Sequence, residues 1–560
     1  MRRAVIGLIA IIAIAGASFA FIPAVKHGVI GFAARQGVPG FISELRQPIA
    51  ANHPVVWAAG PGAAPASAVR PPNVVLILAD DLGFNDISLN GGGVAGGLVK
   101  TPNIDALARE GVDFTNGYAA NATCSPSRAA LMTGRYPTRF GFEFTSVPGS
   151  FAATVGHGGG AGLAPLIYHD ELNHDLIPYE DMGVPLSEIT IAQLLKARGY
   201  RTLHLGKWHL GESDKLGPHA RGFDESLGFR AGGSKFMHQD DPGVVNAKLP
   251  WDPIDGYLWP NLPYAVKFND GQRFEPRGHM TDYLTDNAIA AIEANRNRPF
   301  FMYLAYNAPH TPLQATKADY DALPQIKDHK TRVYGAMIRQ LDRRIGDIMA
   351  KLKALGIDDN TLVIFTSDNG GAWYTGIPDL NKPFRGWKAT FFEGGIRVPM
   401  LMRWPGKIAP GTRAGIPTSG LDLFATIAAT AGVPLPRDRT IDAIDNLAGI
   451  VPGRAPVTRS VPLYWRSGDY RAMRDGDWKL QVTKRPAMVR LYNLATDPTE
   501  KRNVAGSEPA QVARLSALLE VHNRGMVKPL WPGLIEAPVR IDVPLNAPWS
   551  KDQDYVYWTN

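Results

Sequence analysis

Two long apolar runs, each ending in acidic or amide residues, constrain the fold of this 560-residue chain more than any other feature. They are residues 73–79 (NVVLILA) and residues 361–366 (TLVIFT). A continuous apolar run of this length is typical of a strand that is buried on both faces, as in a parallel sheet covered by helices. The carboxyl ends of such strands meet at one edge of the sheet, where open α/β sheets bind ligands. The sequence therefore predicts an α/β fold with a functional site at that edge.

Four oxygen-bearing side chains follow these two strands: Asp80, Asp81, Asp368 and Asn369. A single Asp-Asp pair more often caps a helix or lies in a solvated turn. Three carboxylates and an amide at one sheet edge, with no soft ligand nearby, instead suit a hard divalent cation, and calcium more than zinc. We therefore expect a metal site there.

The only cysteine of the chain, Cys124, lies in the segment 121–135 (NATCSPSRAALMTGR). Pro126 pre-sets a first helical turn, and the pattern predicts a helix from Ser127 onward. The cysteine then lies at the positive end of the helix dipole, where an anion is stabilised, and Arg128 lies four residues later on the same helix face. A lone cysteine is usually an inert, buried residue. Only the C-x-P-S-R context argues for a chemical role.

That context, with L-M-T-G-R after it, closely resembles the signature of the type I sulfatases of the alkaline phosphatase superfamily, and the resemblance extends from about residue 72 to residue 503. It implies a large mixed sheet between helices and a smaller C-terminal antiparallel sheet domain. In this family a separate formylglycine-generating enzyme oxidises the cysteine before folding. The resemblance also implies one calcium ion, held by the residue at 124 (Cys124 before modification) together with Asp80, Asp81, Asp368 and Asn369.

Further segments match the same family: G-K-W-H-L-G, which contains Lys207 and His209, N-A-P-H, which ends at His310, and R-G-W-K, which ends at Lys388. The resemblance implies that Arg128 and the two lysines stabilise charge on the sulfate oxygens. It implies that His310 protonates the leaving alcohol and that His209 aids attack or release, although spacing alone does not divide these two roles. In an extended chain Lys207 and His209 share one face.

These residues together suit hydrolysis of a sulfate ester. A thiol would trap the sulfate as a stable adduct, whereas a hydrated aldehyde has two hydroxyls on one carbon. One hydroxyl attacks the ester, and the other, once deprotonated, expels the sulfate by reforming the carbonyl. The prediction is a sulfuric ester hydrolase for a sulfated small molecule or sugar. A phosphonate monoester or phosphodiester hydrolase of the same superfamily is the alternative, and an inactive relative that binds sulfated glycans is a third interpretation.

The net charge of +7 does not indicate nucleic-acid binding, because the basic residues are scattered and form no basic helix or stripe. A mildly basic surface that attracts anionic substrates explains the charge better. One cysteine also allows no intrachain disulfide. Two arginines and an apolar run form residues 1–25, which are either a secretory signal or an uncleaved membrane anchor. We therefore expect export from a bacterial cell, to the periplasm or to an anchored position at the inner membrane.

Composition and motifs divide the chain into four parts: a signal peptide or anchor (1–25), a juxtamembrane segment and linker (26–71), a catalytic domain (72–450), and a small C-terminal domain with a tail (451–560). Residues 141–185 depart from the family pattern and are interpreted as a long lid or rim loop with solvated histidines. The aromatic residues of segment 230–280 are either pocket walls or ordinary loop packing. The tail from residue 529 has no assignment.

Overall fold

The structure, a computed structural model, describes residues 23–63, 70–156, 165–456, 459, 461–550 and 552–560. Most of the predicted signal or anchor, and most of the glycine-rich run at 156–160, lie outside these residues. Within the described ranges, no helix has both the length and the apolar character needed to cross a membrane.

The strands number 21, and in chain order they are β1 Asn73–Ala79, β2 Val112–Phe114, β3 Gly117–Tyr118, β4 Ile167–Tyr168, β5 Arg201–Lys207, β6 Glu225–Phe229, β7 Val244–Ala247, β8 Val266–Phe268, β9 Arg273–Phe274, β10 Phe300–Ala305, β11 Leu313–Thr316, β12 Thr361–Ser367, β13 Met400–Arg403, β14 Thr412–Ala414, β15 Thr418–Ser419, β16 Leu463–Ser467, β17 Tyr470–Asp475, β18 Trp478–Lys484, β19 Ala487–Asn493, β20 Ile535–Arg540 and β21 Tyr555–Thr559, all within the described ranges.

The α-helices of the same ranges are α1 Pro23–Arg35, α2 Val38–Arg46, α3 Val94–Gly97, α4 Pro102–Arg109, α5 Cys124–Thr133, α6 Gly149–Gly156, α7 Ile191–Ala197, α8 Pro253–Asn261, α9 Met280–Asn295, α10 Lys317–Asp321, α11 His329–Ala354, α12 Glu393–Ile396, α13 Leu423–Thr430 and α14 Pro509–Arg524.

A ten-stranded mixed sheet forms the centre of the fold, in the order β14-β2-β13-β12-β1-β10-β5-β6-β8-β9. Strand β1 lies between β12 and β10 and is parallel to both, and β5 is the next parallel strand beyond β10. Every residue of β1, β10 and β12 is buried. The two apolar runs are therefore neighbouring central strands, and their carboxyl ends lie together as predicted.

The two faces of the sheet are covered by different helices. Successive side chains of a strand point to opposite faces, so Val75 packs into one core together with Met337 of α11. Val74 packs into the other core, together with Phe424 of α13. This arrangement confirms a large mixed sheet between helices.

A four-stranded antiparallel sheet, β16-β17-β18-β19, follows in the C-terminal part, which confirms the expected smaller sheet. The unassigned tail also has regular structure, because β20 pairs with β21 and with β4. Strand β4 and helix α6 belong to segment 141–185, so the segment expected to be a long loop contains regular structure. A two-residue strand has no periodic pattern, and its partner lies more than 360 residues away in the chain.

Candidate active site

Helix α5 begins at Cys124, three residues earlier than the sequence predicted. Thr123 is extended (φ −141°, ψ 156°), and its carbonyl accepts the first helical hydrogen bond, at 3.2 Å, from the N–H of Ser127. Pro126 is tolerated because the first N–H groups of a helix have no partner within it. Cys124 is 3% exposed, and it lies in the first turn of the helix.

The residues that follow β1 and β12 are close to one another. The N–H of Asp81 donates to Asp368 Oδ1 at 3.2 Å, and Asn369 Nδ2 donates to Asp81 Oδ1 at 2.8 Å. Cys124 Sγ lies 3.9 Å from Asp81 Oδ1. Asp81 has a left-handed backbone (φ 62°), which a non-glycine residue adopts only where the surrounding structure imposes it. The strained turn directs this carboxylate toward the start of α5.

The chemistry of this cluster fits a hard divalent cation. Ligand atoms of Asp80, Asp81, Cys124 and His310 all lie within 4.8 Å of one another. Among the described residues, the buried atoms Asp80 Oδ1 and Asn369 Oδ1 have no hydrogen-bond partner. Leaving a buried acceptor unpartnered is costly, and a cation bound by carboxylate and amide oxygens would remove that cost.

Three buried cations surround the acidic cluster. Lys207 Nζ donates to Asp80 Oδ2 at 2.8 Å, and Lys388 Nζ lies 2.8 Å from both carboxylate oxygens of Asp81. Arg128 Nε donates to Asp368 Oδ2 at 2.9 Å, and Arg128 Nη2 lies 2.8 Å from the same oxygen as an ion pair. Burial lowers the pKa of the Lys388 ammonium, but the attraction of Asp81 outweighs burial and raises that pKa well above its usual value. Three cations and three carboxylates therefore balance each other beside Cys124, and a bound divalent cation would leave the site with a net positive charge for an anionic substrate.

The two predicted histidines have opposite electrostatic surroundings. Burial opposes the charge of His310, yet the carboxylates of Asp81 and Asp80 raise its pKa above the usual value. Burial lowers the pKa of His209 well below the usual value, and Lys207 lowers it further. His310 therefore favours the protonated form and His209 the neutral form.

The expectation that Lys207 and His209 share the face of an extended segment was wrong. Strand β5 ends at Lys207, and His209 adopts a left-handed conformation (φ 57°). Its Nε2 lies 2.9 Å from the carbonyl oxygen of Ser146, in the segment that departs from the family pattern. The turn after the strand, and not a two-residue strand period, directs this imidazole.

Two tyrosines of the site had no sequence signal. The Tyr374 hydroxyl donates to Asp81 Oδ2 at 2.7 Å and lies 3.2 Å from Lys388 Nζ. Tyr303, inside β10, accepts a hydrogen bond from Arg128 Nη1 at 3.4 Å. Neither tyrosine lies in a motif, and only the tertiary structure brings them to the acidic cluster.

A cavity of about 890 Å³ opens from these groups, and its lining includes Cys124, His209, His310 and Lys388. Residues of segment 141–185 line it, in agreement with a rim. Of the histidines in segment 141–185, His174 is exposed as expected, whereas His169 is partly buried and bridges two glutamates; His157 lies outside the described residues. Of the aromatic residues in segment 230–280, Tyr257 lines the cavity. Trp251 instead donates to the carbonyl of Tyr374 at 2.9 Å.

A family model described as Sulfatase matches residues 72–433. The chain belongs to the sulfatase family. A second model, described as N-sulphoglucosamine sulphohydrolase, C-terminal, matches residues 385–523 of this sulfatase. The sulfatase is 34% identical to N-acetylgalactosamine-6-sulfatase of Mus musculus, over 79% of its own chain and 78% of the relative. It is 33% identical to N-acetylgalactosamine-6-O-sulfatase of Bacteroides thetaiotaomicron, over 80% of its own chain and 92% of the relative.

Among solved structures, the sulfatase is similar to Ps i-CgsB in complex with k-i-k-neocarrahexaose, with a TM-score of 0.68 and 32% identity, over 82% of this chain and 95% of that one. These similarities identify the protein as a sulfuric ester hydrolase with an alkaline-phosphatase-like fold. All ten site residues that the sequence singled out lie within the range 72–433.

Proposed function

We propose that this sulfatase cleaves sulfate esters with a formylglycine hydrate made from Cys124, aided by a calcium ion. The observation that carries the proposal is the position of Cys124. It lies at the start of a buried helix, 3.9 Å from an Asp81 oxygen, in the cavity that Lys388 and His310 also line. Asp80, Asp81, Asp368, Asn369 and the modified residue at 124 would hold the ion.

The modification and the metal supply the two functions that ordinary side chains lack. The aldehyde hydrate supplies a hydroxyl that attacks sulfur and a second hydroxyl whose deprotonation expels the sulfate, and the ion supplies Lewis-acid stabilisation of charged oxygens. With the carboxylates of Asp80 and Asp81 bound to a cation, Lys207 and Lys388 are no longer needed to neutralise them. Both lysines are then free to bind sulfate oxygens, together with Arg128.

The two histidines divide the proton transfers between them. His310 lines the cavity beside Cys124, with its Nε2 3.6 Å from Asp81 Oδ2, and in its protonated form it can donate a proton to the departing alcohol oxygen. His209 is neutral, and its Nε2–H donates to the Ser146 carbonyl, so its other ring nitrogen, Nδ1, is left as an acceptor. Within the described residues Nδ1 has no hydrogen-bond partner. Nδ1 is therefore the ring nitrogen that is left to accept a proton, and we assign to it the proton of the attacking hydroxyl.

The proposal includes the partners and the location of the enzyme. A formylglycine-generating enzyme would act on the segment around Cys124 before folding. The substrate is a sulfated small molecule or sugar, and the relatives named for N-acetylgalactosamine 6-sulfate make that sugar sulfate one ester to test. The basic and apolar residues 1–25 support export to the periplasm, with the N-terminus either cleaved or left in the membrane.

The test compares protein co-produced with a formylglycine-generating enzyme against the Cys124→Ala variant. We expect the peptide mass to show formylglycine at position 124. We also expect kcat/KM to be much higher for an aryl sulfate than for the matching aryl phosphonate, and to be abolished in the variant. If the peptide mass showed only unmodified cysteine at position 124 while the enzyme still hydrolysed the sulfate, the proposed nucleophile would be overturned. A preference for the phosphonate would favour the alternative hydrolase.

A further inference from the structure

The alcohol side of the active-site cavity is walled by segments outside the family motifs. Its lining includes Ile30 and Ala33 of α1, Phe151 of α6 and Trp558 of β21. Helices α1 and α2 precede the range matched by the Sulfatase model, and β20 and β21 follow the range matched by the C-terminal model. The groups that handle the sulfate therefore belong to the matched part, whereas the space for the alcohol is bounded both by added elements (α1, α2 and β21) and by α6 and α8 of the matched part.

The wall formed by α1 and α2 is attached to helix α8 by one buried amide. Asn261 Oδ1 accepts a hydrogen bond from the N–H of Gly40 at 3.0 Å, and Asn261 Nδ2 donates to the carbonyl of Ala34 at 2.7 Å. A side chain at position 40 would begin 2.9 Å from the Asn261 Cα, so this approach requires glycine. Ala34 packs into one buried cluster with Tyr257 and Leu258. The helix pair is thus a fixed wall of the cavity.

Aromatic and aliphatic groups form the inner surface of this wall. Phe151 packs edge-on against Tyr257, with the ring centroids 5.1 Å apart. The Tyr257 hydroxyl is already engaged with Ser150 Oγ at 3.1 Å. Ile254 and Leu262 line the same cavity. A surface of this composition favours an apolar ligand portion over a hydroxyl-rich one, because sugar hydroxyls buried there would lose their hydrogen bonds to water.

Three basic side chains on the distant wall, Arg230, Lys267 and Arg273, are occupied by other partners, whereas Arg46 of α2 is exposed at the same cavity. Arg230 contacts Asp214 at 2.6 Å and Asp270 at 2.8 Å, and Lys267 Nζ lies 3.0 Å from Asp214. Arg273 Nη2 donates to the carbonyl of Ser43 in α2 at 3.1 Å. A second sulfate or a carboxylate of a charged glycan would have to break these pairs to bind there. This arrangement disfavours polyanionic sugar chains.

We propose that the preferred substrates are sulfate esters of bulky apolar alcohols, such as long-chain or polycyclic alcohols, and that the N-terminal helix pair α1–α2 is a specificity-determining wall of their pocket. The inference rests on the proposed function only in placing the sulfate of the ester at residue 124. It assigns the alcohol half of the substrate, which the shared catalytic residues do not distinguish.

Binding to the full-length, calcium-loaded Cys124→Ala variant tests the pocket without turnover. Calorimetry with a series of 4-alkylphenyl sulfates should show Kd falling about fourfold for each added methylene until the cavity is filled, which is the increment for burying one methylene. N-acetylgalactosamine 6-sulfate should bind more weakly than the longer members. A Kd that is independent of chain length, or tighter binding of the sugar sulfate, would overturn the proposal.

Kinetics of formylglycine-containing enzyme test the wall itself. Ala33→Phe adds a ring to the cavity side of α1, so kcat/KM for the longest ester should fall about tenfold while the shortest ester changes less than about twofold. The matched control is Phe32→Ser, at the neighbouring residue, whose side chain is 67% exposed and should leave both esters unchanged. If Ala33→Phe does not fold, Phe151→Ala replaces it and should shift the preferred chain length upward.

The outcomes separate the two proposals. The role of the wall would be refuted if Ala33→Phe and Phe32→Ser had equal effects on kcat/KM for both esters. It would also be refuted if Phe151→Ala left the preferred chain length unchanged. If no sulfate ester were hydrolysed by the formylglycine form, the proposed function would fail, and the Kd series would still decide the nature of the pocket.

Discussion

Lys479 of strand β18 holds together two buried carboxylates from different parts of the chain. Its Nζ lies 2.8 Å from Glu393 Oε1 and 3.0 Å from Glu500 Oε1, and all three side chains are fully buried. Burial opposes the ionisation of Glu393, but Lys479 and Arg397 outweigh it and lower its pKa to about 2. Burial raises the pKa of Glu500 to about 7, in spite of Lys479. The ammonium group therefore compensates a carboxylate charge in the interior.

Replacing Lys479 with methionine keeps most of the side-chain volume and removes the charge. Breaking a buried ion pair from one side costs about 3–5 kcal/mol, because the remaining charge stays desolvated. The matched control is Lys484→Met on the same strand, since Lys484 contacts Asp469 at 2.7 Å while its side chain is 69% exposed. An exposed pair contributes less than about 1 kcal/mol. We expect the two variants to differ by several kcal/mol.

Urea unfolding followed by tryptophan fluorescence measures both variants at two pH values. Without Lys479, the buried Glu500 loses the cation that offsets its burial, so its folded-state pKa, already raised to about 7, rises further above its unfolded value. Stability from such a group is present below the unfolded pKa and is lost as the pH rises through the folded pKa. The deficit of Lys479→Met should therefore be larger at pH 8 than at pH 5.5. Equal losses in the two variants, or a deficit that grows toward acid, would refute this reasoning.

Three further predictions concern acid stability, the metal and the leaving group. The rings of His522 and Tyr464 are stacked, with their centroids 3.8 Å apart, and burial lowers the pKa of His522 to about 3. As the pH drops below about 6.5, this histidine takes up a proton in the unfolded chain but not in the folded protein, so the free energy of unfolding falls. His522→Phe should recover up to about 2 kcal/mol at pH 5 relative to pH 7 in urea unfolding, and an unchanged pH dependence would contradict this. A chelator should abolish activity and lower the melting temperature, and added calcium should restore both better than added zinc. An unchanged melting temperature in the chelator would argue against a bound ion. His310→Gln should lower kcat about 100-fold for an alkyl sulfate and much less for 4-nitrophenyl sulfate, because the nitrophenolate leaving group needs no proton. Equal losses of kcat for the two esters would exclude the acid role of His310.

The sequence predicted the centre of the fold because its signals are local. An unbroken apolar run such as residues 73–79 reports burial on both faces of one strand, and the residues after it necessarily lie at its carboxyl end. The helix start at Cys124 was also visible, although it was placed three residues late. The C-x-P-S-R and G-K-W-H-L-G segments identified the family, which the Sulfatase model then confirmed.

Other parts of the site depend on the path of the chain after each strand. The left-handed turn at His209, which redirects its ring toward the Ser146 carbonyl, has no pattern in the sequence. Tyr374 likewise reaches Asp81 from a segment without a motif. Single backbone conformations of this kind are imposed by the surrounding structure and not by local propensity.

By itself, the sequence identified the sulfatase family and the residues that we propose carry its chemistry: Cys124, the acidic strand ends, and the cations and histidines that match the family. Only the tertiary structure decided the shape of the cavity for the alcohol. Its walls come from α1 and α2, from α6, and from strands β20 and β21, which are far apart in the chain. Strand β20 meets β4 across more than 360 residues, and Asn261 meets Gly40 across 221. Pairings over such distances depend on how complete surfaces fit together, and that information is not carried by any short segment.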